Sequence, residues 1–445
     1  MLSPFHVRSP LLLHPCPSPP PPAQPQLHLW TGAAAARMSS LPATTMEEAE
    51  AEAAAAGAAP LIRGLPDEVV IWEILVRLDP KSLLRCRAVR RAWRRATSTR
   101  ELLLAHHARQ PSLPVLYGYS CVGNDVMSIS ITPFDHRSDL AAGGQLQSVA
   151  RLGPSLVRPE ASCDGLLVLS IVSTYFAICN PATRQYAPLR MISGFRILGM
   201  YPHPPTGEYR LLLHSLESTK STEQVHVLSR TCARQAPRNQ VGCYVLSLGS
   251  GQPPRYIECA DSKELKLSNN SVLFRGCLHC YPVRRGSGSI MIVVFDTTAE
   301  SFRLMRAPVF PGGCGDLFQM DGMLGMSSSN FAKTIMGIWV LRDYESEDWI
   351  LKCKIELPLM EIRVLLDNHD HDNFSDVVVV AGDGEFLVLV KFAGRLLQVN
   401  MDGKLVTTFH RKGIHPTQIQ LKQSLVPHAF FSSLDGYVMN DWPFI

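Results

Sequence analysis

A chain of 445 residues, 46% apolar and 18% charged, has the length of two or three domains and enough apolar material for a substantial core. A formal net charge of +4 is too small to mark a nucleic-acid binder by itself, and no apolar run reaches the roughly eighteen residues a membrane helix needs. Its 12 cysteines are scattered, several of them in strand-like apolar runs, which fits small hydrophobes in a reducing compartment and not a disulfide framework.

Residues 1–60 read as a disordered, low-complexity leader. A proline run from Pro15 to Pro25, alanines at Ala33 to Ala36 and a Glu/Ala tract from Met46 to Ala59 bury too little apolar area to offset ordering entropy. The first acid is Glu47, and Arg8 and Arg37 precede it, which is the composition of an organelle transit peptide. No convincing amphipathic helix supports that reading, and Met38 offers an alternative start.

The stretch from Leu61 to His107 is predicted to form three short helices. Pro66 suits a first helical position, and Asp67 and Glu68 suit the positive end of the helix dipole. The run Val69-Val70-Ile71-Trp72, Ile74-Leu75-Val76, Leu78 is apolar nearly all round, so that helix must be covered on more than one side. Asp79 is predicted to cap a second helix with Pro80 at its first position, and Arg90, Arg91, Trp93, Arg94 and Arg95 are expected to close it. The cationic cluster from Arg85 to Arg100 reads as a solvated face, with an acidic partner as the alternative; nothing aromatic is interleaved to make a nucleic-acid platform.

This stretch resembles the F-box. Leu65-Pro66 is followed by acids, then come Glu73-Ile74-Leu75, Arg77-Leu78, Lys81-Ser82-Leu83, Arg85, Val89 and Trp93, and Leu102 to His107 resembles the leucine-and-histidine tail. Asp79 stands where proline is commoner, and Ala88 and Arg90 depart from the pattern around Val89. The resemblance implies a Skp-family adaptor as partner. It implies that Leu65, Pro66, Ile74, Leu75, Leu78, Leu83, Leu84 and Val89 face or support that adaptor.

Residues 108–114 read as a linker. From Val115 to Ile445 short apolar runs alternate with Gly, Asp, Asn and Pro turns, the grammar of a sandwich, barrel or propeller. One hairpin pattern recurs loosely about fifty residues apart: SCDGLLVLS at Ser162, FRGCLHCYP at Phe274, FQMDGMLGMSS at Phe318 and GDGEFLVLV at Gly382. Such a repeat suggests propeller blades, with a two-sheet sandwich as the alternative.

Cys163-Asp164-Gly165-Leu166 and Asn180-Pro181-Ala182-Thr183 resemble the first signature of the plant F-box-associated region. Tyr201-Pro202 with Glu208-Tyr209-Arg210, Phe295-Asp296 with Glu300 and Phe302, and Trp339-Val340-Leu341 with Trp349 resemble later ones. Arg275 and Cys280 depart from the strand signature they lie in. The resemblance implies a small all-α F-box followed by an all-β domain, a kelch-like β-propeller.

Other constellations carry less. Cys277-Leu-His-Cys280 has a metal-like spacing but no second pair, and within a strand its cysteines point to opposite faces. The cluster from Asp367 to Asn373 lacks the glycine and terminal glutamate of a calcium loop and reads as solvated. Ser287 lies in a glycine turn with no following Lys-Ser or Lys-Thr. Trp339, Trp349 and Tyr344 flank a hairpin; both tryptophans read as inter-blade packing, with anchoring of a bound protein as the alternative, while the basic loops from Ser218 to Asn239 and Arg284 to Ser289 are where a specificity surface would vary.

The resemblance therefore implies the substrate-recognition subunit of an SCF-type cullin–RING ubiquitin ligase. Such a subunit performs no bond chemistry, needs no cofactor or metal, and has an adaptor and a protein target as partners. It would work in the cytoplasm, the nucleus or both. Two alternatives remain open from sequence: an adaptor-bound regulator outside a ligase, and a small-molecule-binding propeller.

Overall fold

The computed structural model describes residues 65–122, 125–135, 146–153, 156–172, 175–215, 242–259, 266–283, 291–308, 314–320, 322–330, 334–365, 376–382, 385–409 and 413–445. The leader, the transit-peptide reading, the Asp367 to Asn373 cluster, Ser287 and both basic loops lie outside the described residues.

The helical part begins at α1 (Asp67–Val69), which runs into a π turn over Val70–Ile74 and a 3-10 turn over Leu75–Arg77. Pro66 caps this helix instead of opening it. Its backbone is extended (φ −59°, ψ 143°) and its carbonyl accepts the Val70 N–H at 3.2 Å. The π turn closes on an i→i+5 spacing. That spacing brings Val70 and Leu75 to one side, where both are buried.

Asp79 caps α2 (Pro80–Val89) as expected, accepting the Ser82 N–H at 3.0 Å with Pro80 at the first position. The arginines do not close this helix. Arg90 is extended (φ −141°, ψ 132°) and separates α2 from α3 (Arg91–Ala96), which frees its guanidinium to reach Asp67 at 2.7 Å. Thr99 caps α4 (Arg100–Arg109), which buries Leu102, Leu103 and His106.

The expected linker at 108–114 is nearly absent. Helix α4 runs to Arg109, and β1 (Ser112–Val122) starts at Ser112, because Ser112, Leu113 and Pro114 pair with Lys422, Leu421 and Gln420. Pro114 is tolerated there because the register shifts just beyond it.

The β domain is a six-bladed propeller. The first blade joins β1 to β2 (Asp125–Pro133), β3 (Ala150–Leu152) and β24 (Ile414–Lys422) from the far end of the chain. The second holds β4 (Val157–Cys163), β5 (Leu166–Ile171), β6 (Tyr175–Asn180), β7 (Gln185–Pro188) and the short β25 (Val438–Met439). The third is β8 (Phe195–His203), β9 (Glu208–Ser215), β10 (Cys243–Ser247) and β11 (Arg255–Ile257). The fourth is β12 (Lys266–Phe274), β13 (Cys277–Val283), β14 (Met291–Asp296) and β15 (Ser301–Arg306). The fifth is β16 (Cys314–Met320), β17 (Met323–Ser329), β18 (Ile335–Asp343) and β19 (Asp348–Glu356). Helix α5 (Leu359–Leu365) leads to the sixth, β20 (Asp376–Gly382), β21 (Glu385–Phe392), β22 (Arg395–Val399) and β23 (Leu405–Phe409).

Strands β24, β4, β8, β12, β16 and β20 neighbour one another in turn and ring the axis. Six apolar clusters fill the gaps between successive blades, and the last joins the sixth blade to the first through Leu116, Phe409 and Ile414. The sandwich alternative is thereby set aside, since each sheet packs on two neighbours around a ring and not on one opposite sheet. Taking β24 from the C-terminal end gives the first blade its inner strand, pairs the edge of β1 and closes the ring.

The recurrent hairpins occupy one place in the architecture. SCDGLLVLS and FRGCLHCYP make the turn from inner to second strand in blades two and four, and the described residues of FQMDGMLGMSS and GDGEFLVLV lie on the paired inner and second strands of blades five and six. Asp164 and Gly165 (φ 47° and 84°), like Arg275 and Gly276 (φ 49° and 71°), supply the paired positive φ values of a tight two-residue hairpin. The spacing is uneven because the first blade is split between distant parts of the chain.

Candidate functional site

The eight residues expected at the adaptor separate into two groups. Leu75 and Leu83 are 3% and 0% exposed, and Leu78 packs beside them, so these three build the helical core. Leu65, Pro66, Ile74, Leu84 and Val89 are exposed, Val89 at 66%. On α2 the outward stripe is Lys81, Leu84, Arg85, Ala88 and Val89, the i, i+3, i+4, i+7 side of one helix. Val69 and Leu104 are also exposed and were missed from sequence. The signal for Val69 was present in the run from Val69 to Ile74, which has more apolar residues than one buried face can use.

The helical core continues into the propeller. Val70, Leu75, Leu83 and Leu103 share a cluster with Leu425 and Val426, which follow β24, and with Ala182 in the β6–β7 turn. A polar network lies beside it. The His107 ring reaches the Gln423 carbonyl at 3.3 Å and the Asp164 carboxylate at 3.4 Å, and Tyr209 donates to the other Asp164 oxygen at 2.9 Å. The hydrogen bonds from His107 and Tyr209 hold the Asp164 carboxyl below its ordinary range against burial, which acts the other way. His428 also lies close to Asp164, and burial pushes its pKa down to about 4.

Asn180 is wholly buried here. Its amide donates to the Ser424 carbonyl at 3.0 Å, while its oxygen accepts the Ala182 and Thr183 N–H groups at 3.1 and 3.3 Å. A Cβ on Gly165 would collide with Ser424. The two hairpin motifs visible in the sequence, Cys163-Asp164-Gly165 and Asn180-Pro181-Ala182-Thr183, thus form the seat for the C-terminal tail and the helices.

The end of the ring away from this seat carries a cavity of about 370 Å³. It is lined from the early part of β4 (Arg158, Glu160), β16 (Asp316) and β20 (Asp376), and from β24 (His415 to Ile419). His415 stacks on Tyr117 with centroids 5.0 Å apart and lies 3.6 Å from the Asp376 carboxylate. Lys391 Nζ is 2.9 Å from a ring nitrogen of His415, and burial lowers its pKa. Nothing in the local sequence patterns pointed to these residues, because they meet only when the ring closes.

The remaining constellations resolve as packing. Cys277 lies in the core between blades four and five and Cys280 in that between three and four, so their sulfurs diverge. Burial pushes the Cys280 thiol up to about 12. His279, fully buried between them, meets the Tyr344 hydroxyl at 2.9 Å, and burial drops its pKa to about 4. Trp339 and Trp349 pack against the core between blades four and five and donate to Ser328 Oγ and the Arg306 carbonyl. In the arginine cluster Arg87 and Arg90 are tied to Thr97 and Asp67, while Arg85, Arg91, Arg94, Arg95 and Arg100 are solvated. Among the described residues no group of three or more His, Cys, Asp or Glu could hold a metal, and no helix is long and apolar enough to cross a membrane.

Comparison with known proteins matches residues 62–107 to the F-box-like family and residues 124–434 to the F-box associated beta propeller domain. F-box protein At1g52495 of Arabidopsis thaliana is 26% identical over 310 residues, covering 64% of this chain and 67% of the relative. F-box protein At5g49610 of the same plant is 24% identical over 305 residues, covering 66% and 79%. Among solved structures, TolB from Acinetobacter baumannii superposes with a TM-score of 0.39 at 12% identity, over 72% of this chain and 70% of that one.

Proposed function

Because this chain belongs to the family of F-box associated β-propeller proteins, with an F-box ahead of the propeller, we propose that it is the substrate-recognition subunit of an SCF-type cullin–RING ubiquitin ligase. The F-box binds a Skp-family adaptor, and the propeller holds a target protein. The subunit performs no bond chemistry. It raises the effective concentration of a target lysine beside the charged conjugating enzyme. It works in the cytoplasm, the nucleus or both, which localisation of a fluorescent fusion tests.

One observation carries this reading. Leu65, Pro66, Ile74, Leu84 and Val89 stay exposed on a module whose core is already filled by Leu75 and Leu83. Apolar residues left outside such a core suit a protein interface. The test is co-purification of the full chain with a Skp-family adaptor, beside Leu84→Asp and Val89→Asp. Both substitutions are at exposed positions, so the fold should persist while capture is lost. Absence of capture by the wild-type chain, or full capture by both variants, would sink the assignment.

A further inference from the structure

We propose that the cavity at the end of the ring away from the F-box binds a short basic peptide segment of the target, its lysine or arginine side chain entering the channel and its backbone amide pairing with Gln418. This rests on the receptor reading above and deepens it.

Gln418 lies on β24, lines the cavity and is 8% exposed, yet neither its Oε1 nor its Nε2 has a hydrogen-bond partner among the described residues. A buried amide without partners is destabilising, and native structures rarely keep one without a use. One acceptor beside one donor is the complement of a peptide group. The cavity wall carries the carboxylates of Glu160, Asp316 and Asp376 against the guanidinium of Arg158, with Lys391 behind His415. Even counting Lys391 the acids among the described residues outnumber the cations by three to two, and low-dielectric walls focus such a field. A volume of about 370 Å³ is at the small end for ligand sites and suits one or two side chains.

A peptide is favoured over a free amine by the neighbouring surface. Helix α5 joins the outer strand of blade five to the inner strand of blade six, which places it at the cavity's end of the ring. It buries Ile362 and exposes Met360 and Val364, at 71% and 76%, four residues apart on one side. Apolar residues of a target chain have a surface to meet there.

The experiment is fluorescence anisotropy of the full chain with a labelled peptide alternating alanine and lysine, a matched alanine and glutamate peptide, and spermidine as competitor. The lysine peptide should bind and the glutamate peptide should not. Gln418→Leu should weaken binding by about tenfold or more while leaving the melting temperature equal or higher, because an unpaired buried amide has been removed. Asp376→Asn should weaken the lysine peptide as well. Failure of the wild-type chain to bind the lysine peptide at millimolar concentration would overturn the proposal. So would equal binding of the glutamate peptide, full displacement by equimolar spermidine, or a lower melting temperature with unchanged binding in Gln418→Leu. Adaptor capture by the same wild-type preparation separates the two readings. Capture without peptide binding removes only this inference, and peptide binding without capture removes only the ligase assignment.

Discussion

Phe295, Leu389 and Ile178 in the propeller and Leu84, Val89 and Ile74 in the helical module are residues of one chemical class with opposite fates. The first three are fully buried between blades, and the second three face solvent. A ring of blades gives every apolar face a neighbour on each side, and β24 ensures that the first and last blades are no exception. A module of a few short helices has too little volume to enclose all its apolar residues. It rests one side on Leu425, Val426 and Ala182 and leaves apolar residues of the other side exposed. The propeller encloses its apolar faces between blades, whereas the module keeps Leu84, Val89 and Ile74 in solvent.

The largest test of this contrast is acid. His279 inside the propeller and His428 at its junction with the helices are both held neutral by burial, with pKa values of about 4. An unfolded chain binds these protons near pH 6.5. Between those values the unfolded state therefore carries more protons, and stability is lost as the pH falls from about 6.5 to about 4. Each histidine accounts for on the order of 3 kcal/mol of that loss. Urea midpoints at pH 7 and pH 4.5 should differ strongly, and His428→Asn should remove part of the difference. Midpoints that do not move with pH would contradict the burial of both rings.

Leu83→Ala comes next. Its side chain is wholly enclosed in the apolar cluster that the helices share with the tail, so truncation should cost about 2–5 kcal/mol. Because the ring closes without the helices, the β-sheet circular dichroism should survive while adaptor capture disappears. Simultaneous loss of both would mean that the two regions fold as one cooperative unit.

What could be read from the sequence divides along the same line. Features fixed by near neighbours were legible: the Asp79-Pro80 start, the Asp164-Gly165 and Arg275-Gly276 turns, and the apolar excess of the run from Val69 to Leu78. Features fixed by distant neighbours were not. The break at Arg90 depends on reaching Asp67, the first strand begins at Ser112 because residues near 420 pair with it, and Gln418 meets Asp376 only across a closed ring. The repeat looked irregular for that reason too, since one blade is assembled from both ends of the strand series.

Asn180→Ala probes the seam between the regions. It leaves the Ser424 carbonyl and the Ala182 and Thr183 N–H groups without their side-chain partner in a buried turn. A cost of about 1–3 kcal/mol is expected, visible as a lower thermal midpoint. The accompanying loosening of the tail should raise amide exchange at Leu425 and Val426 while leaving β14 protected. Equal exchange across the whole ring would show that Asn180 supports the propeller at large and not the seat of the helices.

The smallest effect sharpens the contrast from the exposed side. Arg77 and Glu73 form an ion pair at 2.6 Å with both side chains more than half exposed, four residues apart on the helical segment. In the propeller Glu300 is about one-tenth exposed and accepts from Tyr201 at 2.8 Å and Arg210 at 2.7 Å, and Arg255 also reaches it. Water already solvates the first pair well, so Glu73→Gln should change stability by no more than about 0.5 kcal/mol. Glu300→Gln withdraws the charge from a largely dry site with two guanidiniums left facing it, and should cost several times as much. Thermal midpoints that fall equally for the two would mean that the helical surface is as shielded as the ring. The exposed apolar stripe of α2 could then no longer be taken as open to an adaptor.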